Sequence, residues 1–68
     1  MKVVVNGAPW NVPEDTTVED VVREVRGEGV HAGVAVARNG EVLARTAWKD
    51  QRLAVGDRIE VLAAVQGG

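Results

Sequence analysis

The chain opens on an apolar run, Val3-Val4-Val5, that stops at Asn6-Gly7 and resumes with Ala8, Trp10 and Val12 at every second position. Alternation is the period of a half-buried strand. Asn-Gly is the preferred pair for a two-residue type I′ turn, because both of its positions need positive φ. These residues predict a β-hairpin whose second strand closes at Pro13, which has no N–H to give a ladder. From Val18 the period changes. Val18, Val21, Val22 and Val25 recur at i, i+3, i+4 and i+7, while Glu19, Asp20, Arg23, Glu24 and Arg26 take the opposite face. That spacing predicts one amphipathic helix of about ten residues. Thr16 or Thr17 supplies its N-cap, and Glu19 or Asp20 completes a capping box. Acids come early and arginines late, as the helix dipole favours, and Gly27 and Gly29 end the element.

Beyond the helix, Val34 and Val36 on one side and Glu41-Val42-Leu43 on the other flank a second Asn-Gly pair, Asn39-Gly40, which predicts a second hairpin. Residues 45 to 57 read as an irregular connection through Trp48 and Leu53, with a turn at Gly56-Asp57. A last strand runs from Arg58 to Val65. In it Ile59, Val61 and Ala63 share one face, and Arg58, Glu60, Leu62 and Ala64 share the other. The order ββαβββ predicts an α+β domain over residues 1–65, followed by a flexible tail, 66–68. One helix covers one face of a sheet, so the other face stays open. Val4, Leu62 and Ala64 on that face form a candidate partner surface.

Composition narrows the function classes. The chain has 68 residues, 46% of them hydrophobic, with no cysteine, phenylalanine or tyrosine. A chain this short buries only about 60% of the surface it exposes when unfolded. Disulfides and thiolate metal sites are excluded, so packing of valine-rich strands has to supply the stability. The formal charge of −2 gives no electrostatic reason to bind nucleic acid. No apolar run approaches the ~20 residues of a membrane span, and none resembles a secretory leader, so the expected location is the cytoplasm.

The catalytic inventory is sparse. Thr16, Thr17 and Thr46 are the sole side-chain hydroxyls, and His31 stands alone just past the helix glycines. The acids Glu14, Asp15, Glu19 and Asp20 gather at the helix start, where complementing the dipole accounts for them. No nucleophile, base and orienting group come together, so the expectation is a protein that is not an enzyme. What stands out is the end, Val65-Gln66-Gly67-Gly68. A carboxylate becomes an acyl donor once it is converted to an acyl-adenylate, and a narrow activating channel admits residues without side chains. Three residues past Val65 extend about 10 Å, enough to reach a recessed site. The candidate modified group is therefore the Gly68 carboxylate, with Gly67 and Gln66 threading behind it.

Several segments match a known family in register. They are Val5-Asn6-Gly7, Thr17-Val18 with Val21-Val22, Val34-Ala35-Val36 before Asn39-Gly40-Glu41-Val42, and Arg45-Thr46-Ala47-Trp48. Leu53, then Gly56-Asp57 with Ile59-Glu60-Val61, and the Gly67-Gly68 end complete the set. Over essentially its whole length the chain resembles the bacterial thiamine-biosynthesis sulfur carriers, a ubiquitin-like β-grasp family. Ala44, where the family favours proline, and Gln66, where many members have a small residue, depart from the pattern. The resemblance implies a mixed sheet with its first and last strands parallel at the centre. It also implies that an E1-like adenylyltransferase activates Gly68 with ATP and Mg²⁺. Cysteine-desulfurase-derived sulfur then converts Gly68 to a thiocarboxylate that a thiazole synthase consumes. On this reading the chain binds no cofactor of its own, and Trp10 and Trp48 are packing residues.

Other readings stay open at this point. A carrier for molybdopterin or another sulfur-containing metabolite would use Gly68 in the same way. A non-conjugating ubiquitin-like interaction module, or an RNA-binding one, would use its face and leave the Gly-Gly end without purpose. A small enzyme would need a pocket and a nucleophile that the sequence does not suggest.

Overall fold

Both Asn-Gly pairs turn the chain as their chemistry demands. In the computed structural model, which describes residues 1–29 and 33–63, Asn6 and Gly7 have φ of 49° and 82°, and Asn39 and Gly40 of 51° and 85°. Left-handed values at both central positions are those of a type I′ turn, and asparagine tolerates them better than any other residue with a side chain. The first turn joins β1 (Lys2–Val5) to β2 (Ala8–Asn11), and the second joins β3 (Val34–Arg38) to β4 (Glu41–Leu43). Each pair is antiparallel, with Val5 opposite Ala8 and Arg38 opposite Glu41 beside the turns.

The helix, α1, spans Val18–Arg26. Of the two threonines it is Thr17 that caps it. Thr17 Oγ1 accepts from the Asp20 amide at 3.2 Å, and the Asp20 carboxylate accepts from the Thr17 amide at 3.0 Å. Val18, Val21 and Val22 are buried. Valine is a poor helix former, so this short helix is held by the face it buries.

The last described strand, β5 (Arg58–Ala63), completes a five-stranded sheet of order β2-β1-β5-β3-β4. It lies parallel to β1 and antiparallel to β3, so the two ends of the fold meet at the sheet centre, as the resemblance implied. The alternation in β5 fixes its faces. Ile59 and Val61 go to the core with Val3, Val5, Val36 and the helix valines, while Arg58, Glu60 and Leu62 face away. Residues 64 and 65 of the expected strand, and the tail 66–68, lie outside the described residues, as does His31.

One segment differs from its expectation. Residues 45–50, read as irregular, form a 3₁₀ helix, Arg45–Asp50. Its purpose is Trp48, which is 2% exposed and donates its indole N–H to the Leu43 carbonyl at 3.3 Å. An i→i+3 turn drives one large side chain inward over a short stretch, and it carries no apolar repeat for a period count to find. Trp48 is thus the packing residue it was read to be, and Trp10 is partly buried against the same core. With no phenylalanine or tyrosine, Trp48 is the largest filling the core has. Trp48→Ala is expected to cost about 3–5 kcal/mol. For a domain of this size that is most of its stability, so urea titration should find the variant largely unfolded, and a near-native midpoint would contradict this account of the core.

Candidate functional site

The strand that leads to Gly67-Gly68 is held in register by polar side chains that reach it from both hairpin turns. On one side the β1 ladder runs from the Val4 amide to the Asp57 carbonyl (2.8 Å) and from the Asn6 amide to the Ile59 carbonyl (2.9 Å). Asn6 Oδ1 then takes the next rung, accepting from the Val61 amide at 2.8 Å. A side chain thus extends a parallel ladder past the point where its own backbone turns away. On the other side the Asn39 amide donates to the Arg58 carbonyl at 2.8 Å, and Asn39 Oδ1 accepts from the Arg58 amide at 2.9 Å. The glycine-preceding asparagines were read as turn formers alone. Their second role left a trace only in the pairing of each Asn-Gly with a strand that follows much later.

Asp57 anchors this arrangement. It is 6% exposed, and its carboxylate accepts from Asn39 Nδ2 (3.1 Å) and from the Ala54 amide (2.7 Å) while pairing with Arg38 Nη2 at 2.8 Å. Arg38 Nη1 in turn donates to Gln51 Oε1 at 3.0 Å. Burial by itself raises a carboxyl pKa. Here the Ala54 and Asn39 hydrogen bonds and the Arg38 charge together outweigh it and hold Asp57 below the usual range. The cluster ties β3, the turn before β5 and the segment after the 3₁₀ helix into one unit.

The open face of the sheet is where the sequence placed a partner surface. Leu62 is 60% exposed there, and Val4 is half-buried. The two share the face without touching. Val4 pairs with Arg58, four residues or roughly 13 Å of strand from Leu62, and Glu60 stands between them. The apolar company of Leu62 comes instead from β3 and β4. Ala35 lies opposite it, Ala37 lies opposite both Glu60 and Val42, and Val42 is 79% exposed. Short-range alternation does not mark Val42 and the two alanines, although the register of the Asn39-Gly40 hairpin implies them. Ala64, Gln66, Gly67 and Gly68 fall outside the described residues. Among the described residues no three acids or histidines are grouped to hold a metal ion, and no helix is long and apolar enough to cross a membrane.

A mixed five-stranded sheet with parallel central strands and one helix across it defines an α+β ubiquitin-like β-grasp domain. The ThiS family model matches residues 3–68, and the chain belongs to that family. The crystal structure of thiamine biosynthesis protein ThiS from Geobacter metallireducens superposes with a TM-score of 0.79 at 33% identity, over the whole of both chains. A solution structure of a thiamine biosynthesis protein from the same organism gives 0.76 at 34% identity, covering all of this chain and 88% of that one. SAMP1 from Haloferax volcanii, at 20% identity and a TM-score of 0.63 over 98% of this chain and 97% of its own, shares the fold. A thiazole synthase of Paramagnetospirillum magneticum is 35% identical over 69 residues, which take in all of this chain and 20% of that protein. The chain therefore spans about a fifth of the length of that curated relative.

Asp57 yields a pH prediction. A carboxyl whose folded pKa is depressed contributes stability above its unfolded pKa and loses it as pH falls through the folded value. Asp57→Asn should cost about 2–3 kcal/mol near neutrality. The gap to the native chain should narrow below about pH 4, where the unfolded aspartate protonates. Denaturant midpoints measured across that range check it, and a gap constant with pH would remove the charge from the explanation.

Proposed function

We propose that the chain is a sulfur carrier of thiamine biosynthesis, holding sulfur as a thiocarboxylate on Gly68. The observation that carries this reading is membership of the ThiS family over residues 3–68, a span that takes in Gly67-Gly68. The full-length likeness to a thiamine biosynthesis protein supports the same pathway over its molybdopterin rival.

The chemistry follows from the carboxylate. An E1-like adenylyltransferase, with ATP and Mg²⁺ in its own site, joins Gly68 to AMP and releases pyrophosphate. The terminal sulfur of a persulfide, drawn from a cysteine desulfurase, attacks the acyl carbon and expels AMP. A thiol then cleaves the sulfur–sulfur bond of the resulting acyl disulfide, which leaves the thiocarboxylate on the carrier. Sulfur there is softer and more nucleophilic than the oxygen it replaces. Held in a synthase site, its attack becomes effectively intramolecular. The likeness of this chain to one segment of a thiazole synthase supports such a synthase as the receiving partner. Catalysis belongs to these enzymes in the cytoplasm, and the carrier contributes the tail and the surface by which it is recognised.

The tail is tested by mass. Incubation with ATP, Mg²⁺, a sulfur source and an E1-like enzyme should exchange one oxygen for sulfur on the C-terminal peptide. Mapping to that peptide is essential, because oxidation of Met1 or a tryptophan adds nearly the same mass. Deleting Gly68, or adding one residue after it, should abolish the exchange while circular dichroism stays native. Retained sulfur transfer in either variant would exclude Gly68 as the carrier group. For the open face, Leu62→Asp is expected to weaken binding to the activating enzyme or the synthase by roughly tenfold or more, since it sets a charge in an apolar contact. Unchanged affinity for both would remove Leu62 from the interface.

A further inference from the structure

On the helix side of the molecule, away from the open sheet face, the end of β2 and the start of α1 leave a groove of about 350 Å³ between them. Apolar lining comes from Trp10 and Val21, and polar lining from Thr16 and the acids Asp15, Asp20 and Glu24. Thr16 is only 7% exposed, yet its hydroxyl has no hydrogen-bond partner among the described residues. A hydroxyl that no protein group engages can bond a ligand seated in the groove that Thr16 lines. The carboxylates differ in availability. Asp20 is engaged by Arg23 and by the Thr17 amide, whereas Asp15 and Glu24 form no ion pair among the described residues.

These features select the occupant. No cationic side chain lines the groove; Arg23 pairs with Asp20 and the N-terminal ammonium bonds the Val12 carbonyl, so Asp15 and Glu24 are the lining carboxylates free to attract a cation. Among the described residues the acids are not grouped to hold a metal ion, and an indole beside exposed carboxylates suits an organic cation. The half-buried Trp10 offers an aromatic surface to such a cation. A guanidinium is planar, stacks on aromatic rings, forks onto carboxylates and has donors to spare for a hydroxyl, all of which an ammonium does less well. The volume is at the small end for a ligand site and suits one long side chain, not a helix or a sheet edge. Pro9, outward on the edge strand β2, also has no N–H to give an added strand. We propose that this groove docks an arginine side chain presented by a partner protein. It is a contact separate from the Leu62 face, and it stands whether or not Gly68 carries sulfur.

The test titrates the ¹⁵N-labelled full chain with the peptide acetyl-Gly-Arg-Gly-amide and, in parallel, with its neutral citrulline counterpart. Saturable shifts at the Trp10 indole N–H and at the amides of Asp15, Thr16, Val21 and Glu24 are expected with the arginine peptide alone. The double variant Asp15→Asn/Glu24→Gln, whose exposed positions leave the fold intact, should weaken that binding roughly tenfold. Trp10→Ala should weaken it as well, though this variant also loses packing and is read only if its spectrum stays native. Shifts that never saturate, equal binding of the citrulline peptide, or no change in the double variant would each overturn the proposal. So would saturation of the same residues by spermidine with the arginine peptide inert, since the groove would then belong to a polyamine.

Discussion

The buried carboxylate of Asp57 is the interaction on which the arrangement of the sheet depends. Taking a charge out of water is expensive, and it is tolerated here because Arg38, Asn39 and the Ala54 amide meet it at once. Those partners come from β3, from the turn after it and from the approach to β5, so satisfying the charge also sets where β5 begins. Register then does the rest. A slip of one residue would send Ile59 and Val61 to solvent and bring Arg58, Glu60 and Leu62 into a valine core. A small domain without disulfides has little apolar surface with which to resist such a slip, and a buried, fully partnered charge makes the alternative pairing costly.

Asn6 and Asn39 show how economically the rest is assembled. Each is needed in its turn because asparagine enters the left-handed region with little strain, and each then uses its amide to hold β5 from one side. The turn role is local and therefore readable in the sequence. The bridging role joins residues 55 positions apart in one case and 19 in the other, and no local pattern encodes that. The same division runs through the fold. The hairpins, the helix with a threonine cap and the faces of β5 follow from short-range patterns and were legible, whereas the choice of Thr17 over Thr16 was not. The 3₁₀ helix around Trp48 has no repeat, so only its tryptophan hinted at a core position.

The open face was legible in kind and not in detail. Topology alone requires it, since a single helix covers a single side of a sheet. Which residues gather there depends on how β3 and β4 lie beside β5. That placed Ala35, Ala37 and Val42 around Leu62 and left Val4 with Arg58. The Trp10 groove was less visible still. The helix dipole accounts for Asp15 and Asp20 and the polar helix face for Glu24, and only the juxtaposition of β2 with α1 adds Thr16 and an indole to them.

On the proposed function, the carrier has to be recognised by enzymes that act on the same atoms in turn, and each must let it go. Tight binding at one site would stall that sequence, because residence time grows with affinity. Modest contacts on separate faces avoid the problem. The Leu62 face lies on one side of the sheet and the Trp10 groove on the helix side, so a partner seated on one leaves the other accessible. Two weak contacts engaged together multiply into useful avidity, and release of either restores a fast exchange. Rigidity lies at the start of β5, where Asp57 and the two asparagines supply it, and the two proposed contacts would set specificity on surfaces apart from the chemistry.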